Sequence, residues 1–261
     1  MRRLRRLVQK RSYRREQSAC VLEGRDLVAA ALDARAALEA IYLDEIEAAA
    51  QGELIALARR RDVSVYVLES GVLERIADAQ TPQPVLASVA LPLTKLEDVA
   101  CEGLVLALQD VRDPGNAGTL VRSADAAGAS GVVFCGHSVD PFNPKTLRAT
   151  AGSIFHLPIA VASLEETLRS FSSRGASTYA TVVRGGRDHR SLDYARASVV
   201  VIGNESEGLN PEDVARCDAA ISIAMAGASE SLNAGVAGSL IAFESLWRRQ
   251  VANEVPPTRS L

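Results

Sequence analysis

The sequence predicts an α/β protein in two parts, a smaller α/β/α sandwich followed by a larger domain with a mainly parallel sheet. Short runs rich in Val, Ile and Leu, at residues 104–108, 132–134 and 199–202, alternate with stretches of helical spacing, the pattern of strands buried on both faces. A separate alternation fills residues 17–95. With 48% of its 261 residues apolar and 23% charged, the chain can build a real core, and it is long enough for one large domain or two modest ones. No run approaches the ~18 uncharged apolar residues of a membrane span.

In chain order, residues 19–22 read as a strand, and Gly24 starts a helix that carries Leu27, Val28, Ala31 and Leu32. Residues 40–43 form a second strand, 53–61 a helix, 63–68 an alternating strand, 72–76 a short helix, 81–84 a loop and 85–90 another strand. Residues 91–100, around Pro92, read as a linker. Beyond it come strands at 104–108, 132–134, 178–183 and 199–202, with helices at 119–127 and 144–151. A strand at 221–225, a turn of small residues, and a helix with Val236, Ala237, Leu240, Ile241 and Phe243 at helical spacing close the pattern. Ser231 and Asn233 are candidate N-caps of that helix. The expected organisation is a basic arm over 1–16, a first domain over 17–95, a second over 96–250 and a tail over 251–261.

The net charge of −3 hides an asymmetry: residues 1–15 carry eight arginines and lysines and no acid, which leaves −11 on the rest. A basic arm on an acidic body points to a polyanionic partner. A solvated tail or an Arg-rich transit segment would have the same composition. Cys20, Cys101, Cys135 and Cys217 are scattered, without C-x-x-C or matching histidine spacing, so they read as reduced thiols of a cytosolic protein rather than disulfides or metal ligands. His137, His156 and His189 share no spacing and read as ordinary loop histidines.

Three stretches could carry chemistry. Residues 110–122 (DVRDPGNAGTLVR) run from a strand end through a Pro-Gly turn into a helix, placing Asn116 and Arg122 near its entry. Arg122 offers a fork of donors suited to a phosphate or ribose oxygen, although alone it is equally compatible with an ion pair. Residues 203–208 (GNESEG) follow a buried strand and lack a G-x-G-x-x-G fingerprint, so a nicotinamide or flavin site is poorly supported. Their glycines permit a tight loop whose backbone can approach a small cofactor, and Glu205 alone could be a helix-capping acid. The third is Ser231-Leu-Asn233 before the small-residue helix.

Together, Asn116-x-Gly118-x-x-x-Arg122, Gly203-Asn-Glu205-x-x-Gly208 and Ser231-Leu-Asn233 resemble, in order and context, the motifs of the SpoU/TrmH branch of the SPOUT RNA 2′-O-methyltransferases. The resemblance covers residues 100–247 well and 1–95 more loosely. In the looser part, Tyr13-Arg14-Arg15, Leu22-Glu-Gly24 and residues 78–83 are similar to a substrate-binding domain of ribosomal-protein-like fold. The resemblance implies a SPOUT trefoil-knot domain, S-adenosylmethionine as cofactor, and methyl transfer to a ribose 2′-hydroxyl of large-subunit (23S) ribosomal RNA. A tRNA enzyme or a non-catalytic RNA-binding assembly factor are the alternatives. It further implies a cytoplasmic homodimer with no metal and no membrane partner. Asn116, Arg122, Glu205, Ser231 and Asn233 become the expected catalytic set, and Gly203, Gly208, Ile223, Ser231, Leu232 and Asn233 the cofactor contacts. Arg11, Arg14, Arg15, Lys145 and Arg148 become the expected RNA contacts, with a solvated helix face as the other reading of the last two. Because a guanidinium is a poor base, Arg122 is expected to stay charged and orient the ribose, with Glu205 the nearest carboxylate for its proton. Two positions depart from the family pattern: Ala224 stands where proline is usual and Gly235 where a small hydroxyl residue is usual.

Overall fold

The computed structural model describes residues 1–77, 83–194 and 196–254. They form two compact units: Met1–Pro92 with Asp140–His156, and Leu93–Val139 with the remainder from Leu157. No helix among the described residues is long and apolar enough to cross a membrane.

The first unit begins with α1 (Arg2–Gln9) and α2 (Arg11–Gln17). The expected basic arm is therefore helical. Leu4, Leu7 and Val8 recur at helical spacing and are buried with Tyr13, so the arginines between them are the outer face of a packed element. Next come β1 (Ala19–Glu23), α3 (Arg25–Asp33), β2 (Leu38–Asp44), α4 (Gly52–Arg60), β3 (Ser64–Leu68) and β4 (Val85–Ala90). The sheet order is β1-β4-β2-β3, antiparallel except for the β2–β3 pair that α4 connects. β1 is buried along its whole length and β4 at every position but its last, so both faces are covered, as a three-layer sandwich requires. The short helix expected at 72–76 is a run of turns, which still buries Leu73 and Ile76 in the same core. Of the expected loop and motif at 78–84, residues 78–82 lie outside the described residues.

The second unit opens with β5 (Leu104–Gln109), α5 (Pro114–Ala126) and β6 (Gly131–Cys135). α5 starts five residues before the expected 119, because Asp113 caps it, accepting the Asn116 N–H at 2.7 Å, and Pro114 fits the first helical position. The chain then returns to the first unit for α6 (Pro144–Thr150), capped by Asn143. In the second unit again come β7 (Ile159–Val161), α7 (Leu164–Ser172), β8 (Ser177–Thr181), β9 (Arg187–Asp188), β10 (Ser198–Ile202), α8 (Pro211–Ala215), β11 (Ala219–Ser222) and α9 (Ala234–Glu254). The pattern reading did not anticipate β7, α7, β9 and α8, although the Ser163–Glu166 capping box of α7 is readable in sequence.

Strand order is β7-β6-β5-β10-β8-β11-β9, and every pairing is parallel. β5, β6 and β10 are buried almost throughout, which accounts for their uninterrupted apolar runs. α9 lies along α5: the Ser123 and Ser239 hydroxyls pair at 2.7 Å, and a Cβ on Gly238 would collide with Leu120. Gly238 and Ser239 of α9 thus serve close packing against α5 within the chain.

Candidate active site

In the large sheet, β6 and β7 lie on one side of β5 and β10, β8, β11 and β9 on the other, so the direction of winding switches between β5 and β10. In open α/β sheets ligands bind beyond the carboxyl ends of the strands at such a switch. The loops leaving β5, β10 and β11 carry the three motif stretches.

The loop after β10 is closed on itself. Asn204 and Gly208 exchange backbone hydrogen bonds at 3.1 and 3.0 Å, and the Asn204 Oδ1 accepts the N–H groups of Ser206 and Glu207. A Cβ at Gly203 would stand 2.5 Å from the Gly208 carbonyl carbon, so only glycine permits this closure. Two side chains tie the loop to the one leaving β5. The Asn204 amide donates to the Asp110 carbonyl at 2.9 Å. The Glu205 carboxylate accepts from the N–H of Arg112 (3.2 Å), the N–H of Asp113 (3.0 Å) and the Asn116 amide (3.1 Å). Burial alone would push the Glu205 carboxyl up, but the Asn116 amide and the backbone donors outweigh it and hold it below the ordinary carboxylate range. Glu205, expected to take a proton, is occupied as a brace and is a weak base.

Beside this loop lies a cavity of about 280 Å³, close to the size of small-molecule sites. Its walls are the 203–208 loop, Thr181 at the end of β8 with Val182 and Val183 after it, Ile223 and Met225 beyond β11, and the Glu230–Leu232 segment leading into α9. Apolar side chains (Ile202, Leu209, Ile221, Ile223, Leu232 and Ile241) form a slot, and Glu205, Glu207 and Glu230 supply the charge. No lysine or arginine is among the described lining residues. This chemistry suits an uncharged aromatic base attached to a cationic group and opposes a phosphate-bearing cofactor.

Of the residues singled out from sequence, Gly203, Glu205, Gly208, Ile223, Ser231 and Leu232 line the cavity. Asn116 reaches it through Glu205. Asn233 is not in the wall; its Oδ1 accepts the Val236 N–H at 3.2 Å, which makes it, rather than Ser231, the cap of α9. A side chain at Gly235 would crowd the Asn116 and Asn233 amide oxygens at 3.3 and 3.1 Å, so its glycine keeps the two helix starts close. Arg122 is exposed and is not in the wall of this cavity; with Gly115, Thr119 and Ala126 it forms the outer stripe of α5, and it makes no hydrogen bond or ion pair among the described residues. Met225, Glu230 and the β8 end were missed, since nothing local marks them before the strands are assembled.

The expected RNA contacts divide. Arg14 is a correction: it is 3% exposed, its Nε and Nη2 donate to Asp140 at 2.8 and 2.6 Å, and its Nη1 donates to the Leu7 and Val8 carbonyls. It closes the last turn of α1 and anchors the 140–156 segment, and its burial withholds it from RNA. Arg148 is ion-paired with the buried Glu23 and half-buried. Arg15 and Lys145 are exposed, and Arg11 is half-buried.

Comparisons with known proteins agree with this architecture. Residues 103–243 match the SpoU rRNA Methylase family, and residues 1–87 match the MRM3-like substrate binding domain. The chain is 31% identical over 181 residues, 69% of its length and 72% of the relative's, to the 23S rRNA (guanosine(2553)-2′-O)-methyltransferase RlmP of Bacillus subtilis. Its structure superposes with a TM-score of 0.82 on the AdoMet-bound rRNA methyltransferase of Sinorhizobium meliloti, at 34% identity, covering 96% of this chain and 94% of the other. It superposes equally, with a TM-score of 0.82 at 27% identity over 95% and 97% of the chains, on the SpoU methyltransferase AviRb of Streptomyces viridochromogenes in complex with AdoMet. The chain belongs to the SpoU rRNA methylase family.

Proposed function

We infer that the protein transfers a methyl group from S-adenosylmethionine to a ribose 2′-hydroxyl of 23S ribosomal RNA. The observation that carries the reading is the cavity at the switch point, glycine-walled, apolar, acidic and free of described cationic residues. Bound there, S-adenosylmethionine supplies an electrophilic methyl on a sulfonium, which the ribose oxygen takes as the carbon–sulfur bond breaks and a neutral thioether leaves. The apolar slot formed by Ile223 and Leu232 seats the adenosine, and the Gly203 loop lets the backbone approach it. Glu205, Glu207 and Glu230 offset the sulfonium charge. Glu205 also fixes the loop after β5, and with it Asn116 at the start of α5. Arg122, charged and unpaired, orients the ribose and its neighbouring phosphate, and the hydroxyl proton leaves to water. Ribosomal RNA is favoured over tRNA by the match of residues 1–87 to a substrate-binding domain.

The active form is a homodimer. Val236, Leu240, Trp247 and Val251 are exposed and fall within one narrow stripe of α9, with Phe243 packed on Trp247 at 6.2 Å between ring centres. Scattered exposed apolar residues need no explanation, whereas an aligned stripe with an exposed tryptophan marks an interface. Thr119 of α5 lies beside Gly235 at the start of α9, so a second copy on this stripe also covers the α5 face that carries Arg122.

The test is transfer of labelled methyl from S-adenosylmethionine to unmodified 23S transcripts, with the product mapped by resistance of one phosphodiester to alkali. Label in a base, or in tRNA alone, would replace the substrate assignment. No heat on titration with S-adenosylmethionine would remove the cofactor.

A further inference from the structure

We propose that Tyr66, stacked on Tyr42 at the open edge of the first unit's sheet, is a platform for an unpaired base of the RNA. The proposal rests on the RNA-methylating reading above and adds a place where the substrate is gripped. β3 is the edge strand of its sheet, and Tyr66 stands directly opposite Tyr42 of β2. The two rings lie 5.7 Å apart with planes 20° from parallel. Tyr42 is held from behind by the cluster of Leu4, Leu7, Val8 and Tyr13, whereas Tyr66 is 52% exposed. One face of the Tyr66 ring is taken by Tyr42, so the exposed half is its outward face and edge. A tyrosine at that exposure contributes little to its own core. Its ring is fixed in orientation by a half-buried neighbour packed on the core, the pre-organisation a stacking platform needs.

The charge of the elements leading to the ring pair says what would cover it. Arg59, Arg60 and Arg61 end α4 and lead into β3; all three are exposed, and none forms an ion pair or side-chain hydrogen bond among the described residues. The helix C-terminus favours a cation or two there, but three exposed in a row exceed that need. Arg3 lies near Tyr42 while its guanidinium grips Glu39, and Arg6 covers the Tyr13 ring at 3.7 Å. Arg2, Arg5, Lys10 and Arg15 are exposed beyond them. In a chain of net charge −3, an exposed aromatic face on a unit rich in exposed arginines fits a ligand with both π faces and phosphates, which is single-stranded RNA. A second copy of this basic surface would be repelled.

The test uses the full chain and a mixed-sequence single-stranded RNA dodecamer, with the duplex of the same sequence as control, read by fluorescence anisotropy. Tyr66→Ala should weaken binding of the single strand by about tenfold, the usual cost of losing one stacked base, and leave duplex binding within about twofold. Tyr66→Phe should bind like the wild type, since the ring and not the hydroxyl stacks. Melting temperature and S-adenosylmethionine affinity should be unchanged in both variants. The platform is overturned if Tyr66→Ala binds the single strand like the wild type, if strand and duplex weaken equally, or if the variant changes sedimentation instead of RNA affinity. Wild-type protein that methylates no RNA defeats the functional reading; wild-type activity together with an unaffected Tyr66→Ala defeats only the platform.

Discussion

Arg14 on α2 and Arg122 on α5 carry the same side chain, and the sequence reading sent both to RNA. The first unit has used up its arginine. Four hydrogen bonds hold the Arg14 guanidinium between a carboxylate and the end of a helix. The second unit has left its arginine exposed and, among the described residues, unpaired on an outward stripe. Residue type and a basic neighbourhood cannot separate these cases. What separates them is hydrogen-bonding capacity left over once the fold is complete, because a buried guanidinium must satisfy its donors inside the protein, whereas a surface one can hold them for a ligand.

That contrast is most sharply tested at Arg14. Removing it leaves Asp140 and two helix carbonyls without their partner, a loss expected to destabilise the fold by about 3–5 kcal/mol, the usual cost of breaking a buried pair. Arg14→Ala should therefore lower the melting temperature strongly while leaving RNA affinity, measured on the protein that remains folded, near wild type. A variant that melts normally but binds RNA poorly would reverse the assignment. The mirror-image result is expected at Arg122. Arg122→Ala should melt like the wild type and bind S-adenosylmethionine normally, yet lose about 10²–10³ in methyl transfer, as other enzymes do on losing one oriented donor. Arg122→Lys should recover little, since a point charge lacks the fork. Full activity in Arg122→Ala would leave the outward stripe of α5 without a catalytic purpose.

The strands β5, β6 and β10, and the three motif stretches on the loops leaving the sheet, could be read from the sequence because they are local. Apolar runs mark strands buried on both faces, and Gly203 and Asp113–Pro114 mark turns and caps. The helical nature of residues 2–17 was obscured by arginines, although Leu4, Leu7 and Val8 kept the period. The fate of Arg14 was not legible at all, because its partner Asp140 is 126 residues away. The same holds for the Glu205 brace, whose backbone donors at Arg112 and Asp113 appear only when β5 and β10 lie side by side. The division of α9 was not legible either: Gly238 and Ser239 pack on α5, while the larger Leu240 and Trp247 are exposed.

The outward face of α9 gives a smaller effect of a different kind. Trp247→Glu places a charge in the middle of the exposed stripe and should weaken the dimer by roughly 2 kcal/mol or more, as loss of an aromatic anchor does. Sedimentation should then show monomer at concentrations where the wild type is dimeric. If the stripe also brings Arg122 to its working position, methyl transfer should fall with the dimer and return at high protein concentration. A monomeric wild type would separate the stripe from catalysis.

The smallest effect expected is at Glu205, and pH isolates it. Its carboxyl is held below the ordinary range, so its bridge to the β5 loop is at full strength above the pH where an unfolded glutamate titrates, about 4.3. The bridge weakens as pH falls through the lower folded value. Glu205→Gln removes the charge at every pH and turns an amide donor towards the N–H groups of Arg112 and Asp113, so it should lose this stabilisation throughout. The difference in stability between wild type and variant should be under ~1 kcal/mol near neutrality, since the group is partly exposed and solvent screens it. It should shrink as the solution is acidified below about pH 4. A difference that grew on acidification would mean the carboxyl is held protonated in the folded protein. Glu205 would then be a proton donor or acceptor after all, and the loss of the 2′-hydroxyl proton to water would have to be reassigned to it.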